Sequence, residues 1–191
     1  GRIGASTFDF VDVERVEVLR GPQGTLYGKN TTSGALNITT RPPSFTPEAR
    51  IELTAGNYEF VQAKASVSGP LSDRVALRLS ASSTQRQGTI YDVTSGRNLH
   101  RFENNGVRGQ LLWNASDSLN FTLSGDYNVQ NPLCCVQYYA RVGTTQRPIA
   151  RQYAALAAAF NYRPPSTNPF DRVTDLDAPI NSRQEIGGVS L

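Results

Sequence analysis

From Ala49 onward, apolar and polar residues alternate with a period of two. Ile51, Leu53 and Ala55 fall on one face. Val61, Ala63, Ala65 and Val67 oppose Gln62, Lys64, Ser66 and Ser68. The pattern returns in Val75, Leu77, Leu79 and Ala81 against Arg74, Arg78, Ser80 and Ser82, and in Val107, Leu111, Trp113 and Ala115 against Arg108, Gln110 and Asn114. Leu119, Phe121, Leu123 and Tyr127 against Asn120, Thr122, Ser124 and Asp126 complete the set. These runs predict antiparallel strands with one greasy and one wet face. A last strand is expected from near Arg183.

The connections alternate in length. Residues 70–73 and 116–118 predict tight turns, whereas the link over 93–105 is longer. The stretch at about 130–182 far exceeds the ~12 to 15 residues of ordinary loops. Short turns at one end and long loops at the other distinguish a membrane barrel from a soluble sandwich, whose strands alternate as well. Inside the long loop, the alanine-rich run 151–160 predicts one or two turns of helix, ended by Pro164 and Pro165.

A different organisation precedes Ala49. Residues 13–43 read VERVEVLRGPQGTLYGKNTTSGALNITTRPP. Val16 to Leu19 alternates as a half-buried strand and is stopped by Gly21-Pro22. A second apolar run at Ala35 to Ile38 ends at Arg41-Pro42-Pro43. Between them Gly24, Gly28 and Gly34 allow tight turns, with Leu26 and Tyr27 expected to pack beneath. The loop lacks both the spacing and the Ser or Thr after its lysine that a phosphate cradle requires.

The mean hydropathy of −0.39 and the lack of a long apolar run exclude a membrane helix. They do not exclude barrel strands, which show only one apolar face to lipid. A net charge of +3 with basic residues scattered along the chain gives nucleic-acid binding little support. The first ten residues show no signal peptide, and the chain reads as a truncated piece of a longer exported one.

The segment Glu14-Arg15-Val16-Glu17-Val18-Leu19-Arg20-Gly21-Pro22, with Leu26-Tyr27-Gly28 and Gly34-Ala35-Leu36-Asn37-Ile38, resembles the C-terminal half of the plug domain of TonB-dependent outer-membrane receptors. The resemblance implies an all-β fold: the end of a plug over 1–43, a linker over 44–48, and the first strands of a transmembrane antiparallel β-barrel over 49–191, of about 22 strands when whole. It implies the outer membrane of a Gram-negative bacterium, contact with its lipid, and energy-coupled uptake of a scarce ligand, most often a ferric siderophore, with cobalamin, nickel or oligosaccharide as alternatives. The inner-membrane partner would be TonB, whose contact box is missing from this chain. No cofactor and no enzymatic activity are implied. The competing expectation is a soluble all-β binding or adhesion domain; a plugless porin is a third.

Arg20 matches an arginine that in the family is buried between plug and barrel and pairs with barrel glutamates, which here would fall beyond Leu191. A surface arginine ending a strand is the plainer reading. Glu14, Arg15 and Glu17 read as solvated or locally paired charges. Tyr138, Tyr139, Tyr153 and Tyr162, with Arg141, are candidates to stack on or attract a ligand at the outer mouth. They serve equally well to pack the loop against itself or the rim, and Arg141, Arg147 and Arg151 to meet surface lipopolysaccharide. Cys134 and Cys135 are adjacent, which rules out a zinc ribbon and leaves a vicinal disulfide or an inert pair. A metal site joining them to His100, the single histidine, would suit copper or zinc, but nothing in the sequence fixes their separation.

Overall fold

The computed structural model describes residues 12–28, 31–134, 136–143, 145–175, 180–181 and 183–191. Two strands, β1 (Val13–Arg20) and β2 (Gly34–Thr40), form an antiparallel hairpin joined through a single helical turn, α1 (Gly24–Tyr27). Leu26 and Tyr27 are exposed on that turn and do not pack under the glycines. Gly34 is indispensable to the hairpin. It has φ of +147°, and a Cβ there would stand 2.6 Å from the Leu19 carbonyl oxygen.

The chain then enters a sheet of six strands: β3 (Glu48–Gly56), β4 (Phe60–Ser72), β5 (Val75–Arg86), β8 (Phe102–Ser116), β9 (Leu119–Gln130) and β13 (Gln184–Ser190). Each pairs antiparallel with the next, so the sheet is a meander. Two tight turns, at 73–74 and 117–118, lie at one rim. The first is shorter than predicted because β4 continues through Pro70, which sits at a register shift where the ladder needs no proline N–H.

At the opposite rim β3 and β4 are joined by a short turn at 57–59, and the other two connections are long. The first of these contains the hairpin β6 (Ile90–Asp92) and β7 (Arg97–Leu99), which the sequence pattern did not predict. The second contains β10 (Leu133–Cys134), α2 (Tyr153–Ala159), β11 (Val173–Thr174) and β12 (Ile180–Asn181). Helix α2 follows a 3-10 turn at Ile149–Arg151 and falls where the alanine run predicted it. Strand β12 pairs with β10, and β11 runs parallel to β6, so the two long loops share a three-stranded sheet.

Burial in the six-stranded sheet is inverted relative to a water-soluble protein. Leu79 is 49% exposed while its neighbour Ser80 is 6% exposed, and Val67 is 53% exposed between Ser66 and Ser68, both buried. Ile51, Leu53, Val61, Val107, Leu123 and Val189 share the exposed apolar face. Arg78, Ser82, Thr84, Gln110 and Ser124 lie buried on the polar one. Among the described residues no second sheet covers the apolar face, as a sandwich would require. Hydrocarbon is the solvent that satisfies it. Near the short-turn rim Trp113 and Phe121, directly opposite across β8 and β9, stack with centroids 5.6 Å apart, in keeping with the aromatic girdle of a membrane barrel.

Candidate functional site

The hairpin of β1 and β2 meets the polar face of the sheet at one buried guanidinium. Arg78, three residues into β5, gives its Nε–H to the Pro42 carbonyl at 2.8 Å. Its two terminal nitrogens donate to Asp12 Oδ2 and to Glu48 Oε1. One side chain therefore binds the start of the hairpin, the segment after it, and the first barrel strand. The side chains of Arg78 and Asp12 are both 4% exposed. Asp12 also faces Arg41 Nε at 3.5 Å, so two cations balance two anions. Only Asp12 and Arg78 are enclosed, while Glu48 and Arg41 remain partly open to solvent, so removing either enclosed member would deprive the other of its main buried partner.

Backbone geometry fixes the cluster. Asp12 has φ of +60°, a left-handed conformation that Asp adopts more readily than most residues, and its carbonyl accepts the Arg41 N–H at 3.0 Å. The Ser44 N–H donates to Ser68 Oγ at 2.8 Å, which lays the connecting segment along β4. Neither Asp12 nor Arg78 was singled out from the sequence. The available signal was one long cation among small hydroxyl residues on a wet strand face, close to a turn.

Arg20 stands exposed at the end of β1, opposite Gly34. Among the described residues the hairpin's ionic contact with the barrel runs through Asp12. Glu17 is locally paired, as the sequence suggested. Asn37 donates to it at 2.6 Å and Arg15 at 3.2 Å, and these bonds hold its carboxyl below the usual range.

At the other rim the loops are tied to one another. The Tyr91 and Val93 N–H groups bond the carbonyls of Arg172 and Thr174, each at 2.9 Å. Arg172 donates to the Tyr58 hydroxyl at 2.8 Å and lies 5.8 Å from that ring's centroid, joining the long loop to the β3–β4 turn. Leu99 and Asp92 are fully buried beneath, and Asp92 accepts the Ser95 N–H at 3.1 Å to close the β6–β7 turn.

Three of the five predicted mouth residues are brought together. The Tyr139 and Tyr153 rings lie 5.6 Å apart, and Tyr162 bonds Asp175. Desolvation, reinforced by the Asp175 carboxylate, pushes the Tyr162 phenol up to about 12. Desolvation also raises Tyr153, whose hydroxyl is enclosed and finds no hydrogen-bond partner among the described residues. Tyr138 and Arg141 are exposed. Cys134 lies in β10 and Cys135 outside the described residues, so their pairing is not addressed. His100 is exposed, with its carbonyl accepting from Arg86 at 3.2 Å, and no metal-binding cluster occurs among the described residues.

The described residues are thus the first wall of a membrane-spanning antiparallel barrel, with the tail of a plug docked on its lumenal side. The TonB-dependent receptor plug domain family matches residues 1–35. The chain is 47% identical over 62 residues to the pesticin receptor of Yersinia enterocolitica, covering 32% of this chain and 9% of that protein. It is 31% identical over 111 residues to the ferrioxamine receptor of the same organism, covering 58% and 15%. The crystal structure of the ferric yersiniabactin uptake receptor of Yersinia pestis superimposes with a TM-score of 0.58 at 29% identity, covering 65% of this chain and 20% of that one. The chain therefore spans between a tenth and a fifth of the length of these relatives. Residues 1–35 thus match the plug family, and the strands after them are similar in sequence and fold to part of the siderophore receptors just named.

Proposed function

We propose that the receptor containing this chain takes up a ferric siderophore across the outer membrane, driven by TonB. The observation that carries this reading is the pairing of an exposed apolar face with a polar face closed by Asp12 and Arg78. A barrel wall whose lumen is stoppered blocks passive flow, and differential ligand binding plus external force must shift the stopper. The names of the relatives support iron chelates ahead of cobalamin, nickel or oligosaccharides.

In this reading residues 1–43 end the plug, 44–48 link it to the barrel, and the loop over 130–182 faces outward. Tyr138, Tyr139, Arg141, Tyr153 and Tyr162 are the ligand-facing candidates, and Arg20 is a second plug contact toward barrel glutamates. Cys134 and Cys135 are the candidates for a vicinal disulfide in that oxidising compartment, with an inert pair as the alternative. No step calls for a catalytic group, and the protein acts on its cargo without chemical change. The test is to express the full-length receptor in a strain lacking its own siderophore receptors and to follow radiolabelled ferric siderophores. Uptake that disappears when TonB is deleted is expected. Uptake indifferent to TonB, or a full-length product found free of membranes, would overturn the reading.

A further inference from the structure

The apolar face of the six-stranded sheet carries three glycines that its strands do not require. Gly109 and Gly125 stand opposite each other across β8 and β9, and Gly187 on β13 lies opposite Tyr127. None has a left-handed φ, and beyond the chain neighbours a Cβ at any of them would meet no atom closer than 3.5 Å. By contrast Gly106, on the polar face, makes room for the Asn128 amide, which a Cβ would approach to 2.7 Å. Glycine weakens a strand interior and often marks a place where something must come close to the backbone. What these three supply is a dent of about 880 Å³ in the lipid-facing wall, bordered by Leu79, Val107 and Val189.

Toward the rim of long connections the same face turns polar. The Tyr127 hydroxyl donates to Glu185 Oε2 at 2.8 Å, Arg183 pairs with Glu185 at 2.7 Å, and Arg101 pairs with Glu103 at 3.6 Å. Arg101 immediately precedes β8 and Arg183 immediately precedes β13, the two neighbours of β9, so two strand spacings, about 10 Å, separate them. Their side chains remain 53% and 66% exposed, and each guanidinium keeps donors beyond those its glutamate takes. From Gly125 to Gln130, opposite Gln184, the strand climbs about 17 Å, within the reach of a fatty-acyl chain. An apolar dent below two cations complements a lipid with acyl chains and more than one phosphate.

We propose that this face holds one bisphosphorylated glycolipid of the outer leaflet, its phosphates on Arg101 and Arg183 and one acyl chain over Gly109 and Gly125. Tyr127 then marks the boundary between headgroup and tail. This rests on the reading above that the long loops face outward.

The test uses the full-length receptor purified in detergent and washed free of lipid, with purified lipid A as the probe and native mass spectrometry as the readout. Wild type should retain one lipid A per receptor. R101Q/R183Q, changed only at exposed side chains, should bind it about tenfold more weakly. G109V/G125V fills the dent without touching the charges and should lose it as well; if that variant fails to fold, R101Q/R183Q alone decides. Binding by R101Q/R183Q equal to wild type would overturn the proposal. Equal binding of phosphatidylglycerol, or displacement of lipid A by inorganic phosphate, would overturn it too. The measurement involves neither cargo nor TonB, so a receptor that transports no siderophore would sink the uptake reading and leave the lipid site standing.

Discussion

At the rim of short turns three segments of chain converge on one enclosed guanidinium, while at the opposite rim the loops are joined by backbone ladders and aromatic edges. The contrast separates two ways of fixing a barrel's ends. The enclosed pair of Asp12 and Arg78 resists sliding, because displacement would separate two buried opposite charges. The loop tier combines a short three-stranded sheet with exposed contacts such as Arg172 on Tyr58. Elements of that kind open locally at modest cost. A receptor that admits cargo from outside and restrains its plug from inside needs this asymmetry.

The comparison breaks first at Arg78. R78M leaves the enclosed Asp12 with Arg41 alone and should weaken plug docking by about 3 kcal/mol, read as a lower urea midpoint for plug release or faster proteolysis within residues 12–43. R78K should recover only part, since an ammonium cannot hold Asp12, Glu48 and the Pro42 carbonyl in one plane.

At the other rim L99A empties a fully enclosed site and should cost about 2 to 4 kcal/mol locally, seen as faster cleavage at 87–101 while the plug stays protected. D92A removes the acceptor for Ser95 and should cost about 1 to 2 kcal/mol in the same assay. If either substitution releases the plug, the two rims are not independent.

The smallest effect concerns pH. Tyr162 has its folded value pushed up to about 12, above the ordinary phenol, so folding favours the protonated form. Its contribution is complete below the ordinary phenol range and fades as pH climbs toward 12. An ultraviolet titration should show a late-ionising tyrosine component whose latest part Y162F removes, with loop cleavage rising over the same window. A titration identical in Y162F would contradict this.

Strand positions, the handedness of the alternation and the helix at α2 were legible in sequence because each rests on local periodicity or alanine content. Residues 51–67 and 75–81 reveal which side is greasy but not which side is covered, and a sandwich would share the pattern. The loop lengths pointed to a barrel, and the exposure of Leu79 beside an enclosed Ser80 shows directly which face lies uncovered. Residues 90–99 were unreadable as a hairpin because its strands are three residues each, too short for a period, and are stabilised by β11 from far along the chain. The Asp12–Arg78 contact was invisible for a related reason. Its members are ordinary charges in their own neighbourhoods, and their significance arises only from juxtaposition. Arg20 drew notice through family likeness, which indicates a role but not its local surroundings.

Trp113 is the single tryptophan of this sequence, and it stands on the outward face, stacked on Phe121 beside the short turns. Its indole is therefore a natural optical gauge. As the polypeptide passes from denaturant into detergent or vesicles, emission should move to the blue and become open to quenchers carried at shallow depth on lipid tails. A reading from that one ring reports when this hairpin has reached the boundary between headgroups and oil, without any label being attached.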